Sequence, residues 1–372
     1  MRALGIILAG GKNERLKDLS TNRALAAMPI AGSYLSIDFA LSNMTNSGVN
    51  KVAVVTQYNS RSLIEHLSSS KWWDFGRKHG GLYVFTPYMT NENSLWYRGT
   101  ADAIYQNLSY LKNSHEPYAI IAQGDGIAKV DYSRVLQYHI EKRADITMIC
   151  YEENNRRELN RFGIATVDSD NRIIEFEEKP IEPEGNIVST GMYIIRRRLL
   201  IELIESCAKE ERHDFVSDII VRYRKKKKIY AYIHEGYWRS IASVESYFET
   251  NMDFLDKTIR DDFFRKVPNI MSKVEDEPPA KFNYGSKVSN SLCSSGSIIN
   301  GSVEDALLFR NVFVGSNTVV KNAIILNDTY IGDDCHIENA IIDSHCNLIE
   351  GTVVKGDVGE IIIVKTMTDS YN

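Results

Sequence analysis

Short apolar stretches alternate with longer amphipathic stretches over the first two-thirds of the chain. Strands are predicted over 3–8, 51–56, 118–122 and 146–151, and helices over 60–67 and 101–111. Strands that alternate with helices favour a mostly parallel sheet with helices on both faces. In such sheets ligands bind at the carboxyl ends of the strands. The glycine-bearing turns at 8–11 and 123–126 both follow predicted strands, so we expect them at that edge.

The last part of the chain has a different pattern, which begins after the polar, proline-bearing stretch 275–281. Similar apolar segments recur 17 residues apart, at 303–308, 320–325 and 337–342. The Val314 and Ile331 positions keep the same spacing, and Leu348 falls one step further on. A fixed period with β-branched residues and no helical pattern is typical of a parallel β-helix, in which each coil stacks on the one below.

Composition narrows the class of protein. The chain has 372 residues, 43% of them hydrophobic and 25% charged, with a formal net charge of −5. This is the composition of an ordinary globular protein, and the length suggests two domains or one large domain with an appendage. The small net charge predicts neither nucleic acid nor a membrane surface as a partner. The five cysteines are scattered and form no CxxC pair, which favours reduced thiols in a cytoplasmic protein. No apolar stretch is long enough to span a bilayer, and the first one is interpreted as a strand, not an export signal.

Two turns carry candidate nucleotide chemistry. Gly10 and Gly11 follow the first strand, where glycines let backbone N–H groups approach phosphate oxygens. Arg15 could reach the same phosphates with its guanidinium. Asp125, between glycines at a strand end, could bind Mg²⁺ beside a polyphosphate. Taken singly, a structural turn explains each of these features equally well.

Two further stretches are candidates for recognition. Residues 96–107 (WYRGTADAIYQN) place aromatic side chains before a helix start, where they could stack on a base while Thr100 or Asp102 caps the helix. In 176–180 (FEEKP), Lys179 could bind a sugar phosphate and the glutamates could bind sugar hydroxyls. A buried aromatic and an ordinary charged surface are the alternatives.

The order of these stretches carries a resemblance. Together with 37–43 (IDFALSN), 54–67 (VVTQYNSRSLIEHL), 189–194 (STGMYI) and 235–239 (EGYWR), they resemble the bacterial glucose-1-phosphate adenylyltransferase family along the whole chain. That family joins ATP and glucose 1-phosphate to give ADP-glucose and pyrophosphate for glycogen synthesis. The resemblance implies an α/β, Rossmann-like nucleotidyltransferase domain over 1–256 with a mixed, mostly parallel sheet. It further implies a linker over 257–284, a left-handed parallel β-helix over 285–372, use of Mg²⁺, and a tetramer under allosteric control.

The resemblance also implies roles for individual residues. On the nucleotide side it places Gly10, Gly11, Arg15, Gln57, Trp96 and Gly99, with Gln57 and Trp96 on loops that close near ATP and relay effector binding. At the sugar phosphate it places Tyr97, Gly163, Glu178, Lys179 and Ser189. It makes Asp125 a metal ligand.

The chain departs from the family pattern at positions that would interact with the charges of phosphate groups and a metal ion. The family loop has glycine and threonine at the positions of Asn13 and Glu14, and lysine and proline at those of Leu25 and Ala26. The family's second metal carboxylate follows Trp-Arg, where this chain has Ser240. Loss of one preorganised electrostatic group commonly lowers a rate by about 10²–10³. We therefore expect Arg15 and Asp125 to be vestigial and the Mg²⁺ site to be incomplete.

Three functional hypotheses follow. The first is a regulatory, catalytically impaired subunit that works with a catalytic glucose-1-phosphate adenylyltransferase subunit, as in Firmicutes, and still binds sugar phosphates. The second is an active but weak adenylyltransferase. The third is a stand-alone protein that senses sugar phosphates. A homotetramer is compatible with each.

Overall fold

The structure is a computed structural model that describes residues 1–11, 14–76, 80–88, 96–155, 158–357 and 359–365. Packing divides the chain into two compact units. Unit 1 contains residues 1–11 and 39–238, and unit 2 contains residues 12–38 and 239–372. Each unit has a hydrophobic core of its own.

The described residues form 25 strands and eight α-helices. The strands are β1 (Ala3–Leu8), β2 (Pro29–Ile30), β3 (Tyr34–Leu35), β4 (Lys51–Val55), β5 (Gly81–Phe85), β6 (Tyr118–Gln123), β7 (Gly126–Ala128), β8 (Ile146–Glu152), β9 (Gly163–Val167), β10 (Ile173–Glu178), β11 (Ile187–Arg196), β12 (Ile229–Ile233), β13 (Trp238–Ser240), β14 (Lys281–Phe282), β15 (Lys287–Ser289), β16 (Leu292–Cys293), β17 (Ile298–Ile299), β18 (Ser302–Leu308), β19 (Phe313–Val314), β20 (Val319–Ile325), β21 (Tyr330–Ile331), β22 (His336–Ile342), β23 (Asn347–Leu348), β24 (Val353–Lys355) and β25 (Ile362–Val364). The helices are α1 (Ser36–Asn46), α2 (Ser60–Leu67), α3 (Thr100–Gln106), α4 (Leu108–Lys112), α5 (Tyr132–Glu141), α6 (Arg197–Lys209), α7 (Val244–Asp253) and α8 (Lys257–Phe264). Short 3₁₀ turns cover Glu14–Ser20, Leu25–Ala27, Ser70–Trp73 and Leu159–Arg161, and a π-helical turn covers Val216–Val221.

Unit 1 is built on a nine-stranded sheet in the order β10-β9-β11-β6-β1-β4-β5, with β8 paired to β11 and β12 paired to β8. Strands β1, β4, β5 and β6 run parallel, as do β8 and β12. Strand β11 is antiparallel to β6 and β8, and β9 and β10 are antiparallel to each other. Every residue of β1 is buried, as expected for a central strand covered on both faces. The predicted mixed, mostly parallel α/β sheet is confirmed.

One predicted helix is interrupted. The stretch 101–111 forms α3 and α4, which meet at Asn107 with φ −106° and ψ 23°. The Asn107 side-chain amide donates to the Ala103 carbonyl and to the Tyr97 hydroxyl, both at 2.9 Å. An asparagine that bonds to nearby groups in this way competes with helical hydrogen bonding, which explains the break.

The C-terminal part of unit 2 is a parallel β-helix with three faces. Strands β14, β17, β19, β21 and β23 form one face. The first halves of β18, β20 and β22 form the second with β15 and β24, and their second halves form the third with β16 and β25. Residues Asp305, Asn322 and Asn339, at the bends between the halves, have φ values of 44–52°. Such left-handed backbone favours asparagine, aspartate and glycine.

The predicted period holds over most of the β-helix. Val303, Val320 and Ile337 stack in register at the predicted spacing of 17 residues, and so do Ile331 and Leu348. The first coils differ: β15 aligns Val288 with Val303, and β17 aligns Ile298 with Phe313, so both spacings are 15 residues. One corner causes this difference: residues 300–301 join β17 to β18, whereas residues 315–318 join β19 to β20. The period of 17 is therefore broken there.

Unit 2 also contains the segment that follows the first glycine turn. The Ala31 N–H donates to Asn251 Oδ1 (2.9 Å), Tyr247 donates to the Pro29 carbonyl (2.7 Å), and Ser294 donates to the Gly32 carbonyl (2.9 Å). These bonds fix the segment against α7 and the β-helix. The predicted domain boundaries stay predictions. Packing groups residues 12–38 and 239–256 with the β-helix, and α8 and β14 lie inside the predicted linker.

None of the described helices is both long and apolar enough to cross a membrane. All five cysteines are free thiols.

Candidate functional site

The first glycine turn lies beside the end of β4 in unit 1. The Ala9 N–H donates to the Val55 carbonyl (2.8 Å), and the Thr56 hydroxyl donates to the Ala9 carbonyl (3.3 Å). A Cβ atom on Gly10 would lie 3.3 Å from the Gln57 Cβ, whereas one on Gly11 would meet no described heavy atom within 4 Å. The turn therefore leaves open space at Gly11, where a phosphate could approach the backbone.

The Gln57 side chain joins two loops at this edge. Its Oε1 accepts the Tyr97 N–H at 2.7 Å, and its Nε2 donates to the Tyr97 carbonyl at 3.4 Å. Next to this pair, Tyr58 and Trp96 stack with ring centroids 5.9 Å apart, and Trp96 keeps 60% of its surface exposed. The loops that carry Gln57 and Trp96 thus meet at this edge, and their role near ATP stays a prediction. The Tyr97 ring is buried, and its hydroxyl accepts from Asn107.

The start of α3 is tied to the turn that precedes the π-helical turn. A Cβ on Gly99 would lie 2.4 Å from the His213 carbonyl oxygen, so only glycine allows this approach. The Thr100 hydroxyl accepts the Phe215 N–H (2.8 Å) and donates to Asp214 (3.3 Å). Asp102 accepts the Arg98 N–H at 2.8 Å. Asp102 also accepts from the Gln106 side chain at 2.9 Å, and no side chain caps the first turn of α3.

Asp125 lies in the turn between β6 and β7. The Gly124 N–H donates to the Leu8 carbonyl at 3.0 Å, which holds this turn beside the end of β1. The residue keeps some exposed surface, but burial of the carboxyl group raises its pKa, so a nearby cation would stabilise the ionised form. The indole nitrogen of buried Trp238 lies 3.9 Å from where a Cβ of Gly126 would be. That nitrogen has no hydrogen-bond partner among the described residues.

The residues around Asp125 bear on its predicted role as a metal ligand. Among the described residues there is no group of three or more His, Cys, Asp or Glu side chains that could hold a metal ion. Mg²⁺ beside a polyphosphate needs only one or two carboxylates, because phosphate oxygens and water complete its shell. Asp125 is therefore suited to be one such ligand.

Three of the predicted sugar-phosphate residues, Gly163, Glu178 and Lys179, lie together at the end of β10. A Cβ on Gly163 would lie 2.2 Å from the Phe176 ring and 2.8 Å from Glu178 Oε2, so this position also needs glycine. Burial raises the pKa of Glu178, and the neighbouring Lys179, whose Nζ lies 3.4 Å from Glu178 Oε1, acts in the opposite direction. Lys179 has a left-handed φ of 50°. This backbone conformation is uncommon for residues other than glycine and is often found at binding sites.

Ser189 lies on β11, beside a β-bulge. The register of β11 against β8 shifts between Ser189 and Met192, and bulges often re-aim side chains next to functional sites. The Ser189 hydroxyl lies 3.2 Å from that of Tyr193 and accepts the Gly191 N–H at 3.3 Å.

Sequence reasoning missed two residues, Tyr193 and Asp214, that lie near the predicted sugar-phosphate residues. Burial raises the pKa of Tyr193, and the charges of Glu178 and Asp214 raise it further. Asp214 likewise raises the pKa of Glu178. Tyr193 and Asp214 therefore lie within electrostatic reach of Glu178. The group Glu178, Lys179, Ser189, Tyr193 and Asp214 is called here the sugar-side cluster. Asp214 lies in the stretch His213-Asp214-Phe215, which is not part of any motif that carries the family resemblance.

The remaining predicted positions belong to unit 2. Glu14 and Arg15 are exposed at the start of the first 3₁₀ turn, and Leu25 begins the second. The Leu25 carbonyl accepts from the Ser36 hydroxyl at 2.9 Å. Ser240 ends β13. Asn13 lies outside the described residues.

The comparisons with known proteins agree with the fold. The nucleotidyl transferase family model matches residues 4–257, and the GlmU-like, C-terminal hexapeptide model matches residues 278–360. The sheet of unit 1 and the parallel coils of unit 2 thus define a nucleotidyltransferase fold followed by a left-handed β-helix of hexapeptide type.

The similar curated proteins narrow this class. The chain is 40% identical over 368 residues to the glucose-1-phosphate adenylyltransferase of Bacillus subtilis (strain 168), covering 98% of this chain and 97% of the relative. It is 40% identical over 323 residues to the enzyme of that name from Geobacillus stearothermophilus, covering 86% of this chain and 83% of the relative. A relative of the same name from Clostridium novyi (strain NT) is 40% identical over 320 residues, or 85% of this chain and 84% of the relative. The chain belongs to the glucose-1-phosphate adenylyltransferase family.

Proposed function

We propose that this chain is a regulatory subunit of glucose-1-phosphate adenylyltransferase that keeps a sugar-phosphate site and has little activity alone. Its partner would be a catalytic subunit of the same family, within a tetramer. The observation that carries the proposal is a contrast along the sequence. Glu178, Lys179 and Ser189 are present, whereas uncharged Leu25 and Ser240 stand where the family resemblance implies a lysine and a metal carboxylate.

The sugar-side cluster has the chemistry that glucose 1-phosphate needs. Lys179 supplies a positive charge for the phosphate as a flexible point charge. Glu178 and Asp214 supply carboxylate acceptors for sugar hydroxyls, and the Ser189 hydroxyl can donate or accept. Burial raises the pKa of Glu178, and Lys179 opposes that rise. The affinity for a dianionic phosphate beside Lys179 would therefore depend on the charges of both Lys179 and Glu178.

The nucleotide side supports the low activity. The family reaction is an in-line attack of the sugar phosphate on the α-phosphorus of ATP, so catalysis consists of positioning and neutralisation of charge. Mg²⁺ would neutralise phosphate charge when bound, and Asp125 is the carboxylate of this chain that would hold it. With serine at position 240 and leucine at position 25, the chain supplies one carboxylate and one cation fewer than the family pattern.

A weak but active adenylyltransferase is the second candidate. It is supported by the name that the compared relatives share and by Asp125, because substrate oxygens could complete a Mg²⁺ shell around a single carboxylate. A stand-alone sensor of sugar phosphates is the third candidate, and it predicts no effect on any adenylyltransferase.

One assay separates the three. ADP-glucose formation from ATP and glucose 1-phosphate is measured with Mg²⁺ for the purified chain, for a catalytic relative, and for both together. The proposal expects almost no turnover by the chain alone and an altered rate or effector response of the mixture. Turnover by the chain at a rate close to that of the relative would establish the second candidate. An unchanged rate and effector response of the relative would refute the regulatory role.

A further inference from the structure

Asp218 binds the backbone of the turn that carries Asp214. Its Oδ2 accepts the N–H groups of His213 (3.0 Å) and Asp214 (2.9 Å), and its Oδ1 pairs with Arg212 at 3.2 Å. Although burial acts in the opposite direction, the bonds from Asp214 and Arg212 hold the pKa of Asp218 below its usual value. Asp218 is therefore a charged acceptor, and such hydrogen bonds are stronger than neutral ones.

The opposite side of the same turn is fixed to α3. The His213 carbonyl accepts the N–H groups of Ala101 (2.8 Å) and Asp102 (3.2 Å). The Asp214 carboxylate is held at both oxygens: Oδ1 accepts the Ser217 N–H at 2.7 Å, and Oδ2 accepts the Thr100 hydroxyl at 3.3 Å. The orientation of Asp214 thus depends on a turn that is bound from two sides.

A chain of alternating charges continues outward from Asp218. Arg212 also pairs with Glu210 at 3.2 Å, and Glu210 pairs with Arg222 at 2.7 Å. These outer pairs are more exposed than Asp218, whose side chain is 16% exposed. Exposed pairs contribute little, so the positioning effect is concentrated at Asp218.

We propose that Asp218 is a positioning residue of the sugar-side cluster: it fixes the backbone of His213 and Asp214 so that the Asp214 carboxylate can accept a hydroxyl of a hexose 1-phosphate. The inference rests on the proposed sugar-phosphate binding. It assigns Asp218 no contact with the ligand, and its effect on binding passes through Asp214.

The test measures binding of glucose 1-phosphate by calorimetry to the wild-type chain, Asp218→Asn, Asp214→Asn and the double variant. Loss of a charged hydrogen-bond acceptor predicts affinity about 10-fold lower for Asp218→Asn. In the Asp214→Asn background the same change should have almost no further effect, because coupled residues are not additive. Inorganic phosphate, which has no sugar hydroxyls, serves as a second probe, and its affinity should be unchanged in Asp218→Asn.

Asp168→Asn is the matched control. Asp168 also accepts two backbone N–H groups in a turn of unit 1, those of Asp170 and Arg172, both at 2.9 Å, and it is not part of the sugar-side cluster. This variant should bind glucose 1-phosphate like the wild type. If Asp218→Asn does not fold, Arg212→Gln replaces it, because this change removes one partner of Asp218 and leaves both backbone bonds. A smaller loss, about 3-fold, is then expected.

The outcomes separate the inference from the proposed function. Failure of the wild-type chain to bind glucose 1-phosphate overturns the proposed function and the inference with it. If the wild type binds, the inference alone is overturned by unchanged affinity in Asp218→Asn or by an equal loss for inorganic phosphate. A full further loss in the Asp214→Asn background would also overturn it.

Discussion

The guanidinium of Arg23 lies 2.5 Å from the carboxylate of Asp343, 320 residues further along the chain. Both side chains are largely buried, at 16% and 14% exposure, and both belong to unit 2. The fully buried Tyr247 lies within electrostatic reach of the pair. This ion pair joins the segment that follows the first glycine turn to a corner of the β-helix.

Removal of one partner of this pair should destabilise unit 2. Arg23→Met leaves the Asp343 charge largely buried without its partner, and we expect a loss of about 2–4 kcal/mol in the free energy of unfolding. Urea denaturation, followed by fluorescence and circular dichroism, measures it. The double variant Arg23→Met/Asp343→Leu should recover part of the loss, because no unpaired charge remains. A double variant as unstable as the sum of the two single ones would contradict a direct interaction.

The charges that the chain lacks should be restorable. Leu25→Lys with Ser240→Asp returns a cation and a carboxylate to positions where the family has them, and we expect ADP-glucose formation by the chain alone to rise at least about 100-fold. The matched control is Leu25→Met with Ser240→Asn, which changes the same positions without adding charge. Equal rates in the two double variants would contradict the proposal that these two missing charges limit the activity of the chain. Addition of Glu14→Thr should raise the rate further, since it removes an anion from the loop.

The features that could be predicted from sequence are those that a local pattern encodes. The continuous apolar run of β1 predicts a buried central strand, and the 17-residue repeat predicts stacked coils. The glycine turns and the Glu178-Lys179 pair could be recognised because short motifs mark strand ends and charge. The interruption at Asn107 was missed because it depends on a side-chain hydrogen bond that competes with the helix.

Other features depend on tertiary packing and could not be predicted. Asp214 joins the sugar-side cluster because a turn distant in sequence is bound to the start of α3. The sequence contains many acidic residues that could pair with Arg23, and only the fold of unit 2 brings Asp343 next to it. The membership of residues 12–38 in unit 2 likewise follows from hydrogen bonds to Asn251 and Ser294, which no local pattern encodes.

The buried His139 predicts a pH dependence of stability. The ring is almost fully buried, Nδ1 lies 2.8 Å from the Thr147 hydroxyl, and Nε2 has no hydrogen-bond partner among the described residues. Burial, with a contribution from Arg196, lowers the pKa of His139 from 6.5 to about 4. The unfolded chain therefore binds this proton more readily than the folded one, so stability is full above pH 6.5 and falls as the pH decreases toward 4. Since each pKa unit is about 1.4 kcal/mol, the loss amounts to about 3 kcal/mol.

His139→Gln should remove this loss. The glutamine does not titrate, so the free energy of unfolding of this variant should fall less between pH 7 and pH 4 than that of the wild type. His115→Gln is the control, because His115 is exposed and should leave the pH profile unchanged. Parallel profiles for wild type and His139→Gln would show that other groups cause the acid sensitivity.

The corners of the β-helix predict a graded effect of substitution at Asn322. Its φ is 44°, and its side-chain amide donates to Asn339 one coil further on at 2.7 Å. Both Asn322→Ala and Asn322→Gly remove that hydrogen bond, but only alanine adds the left-handed backbone strain of about 1–2 kcal/mol. We therefore expect Asn322→Gly to be more stable than Asn322→Ala by about 1 kcal/mol in urea denaturation, since glycine also gains entropy in the unfolded chain. Lys321→Ala, which removes only an exposed pair with Glu304, should change stability by less than about 0.5 kcal/mol. If alanine and glycine are equally tolerated at position 322, the conformation of this corner does not limit the stability of the β-helix.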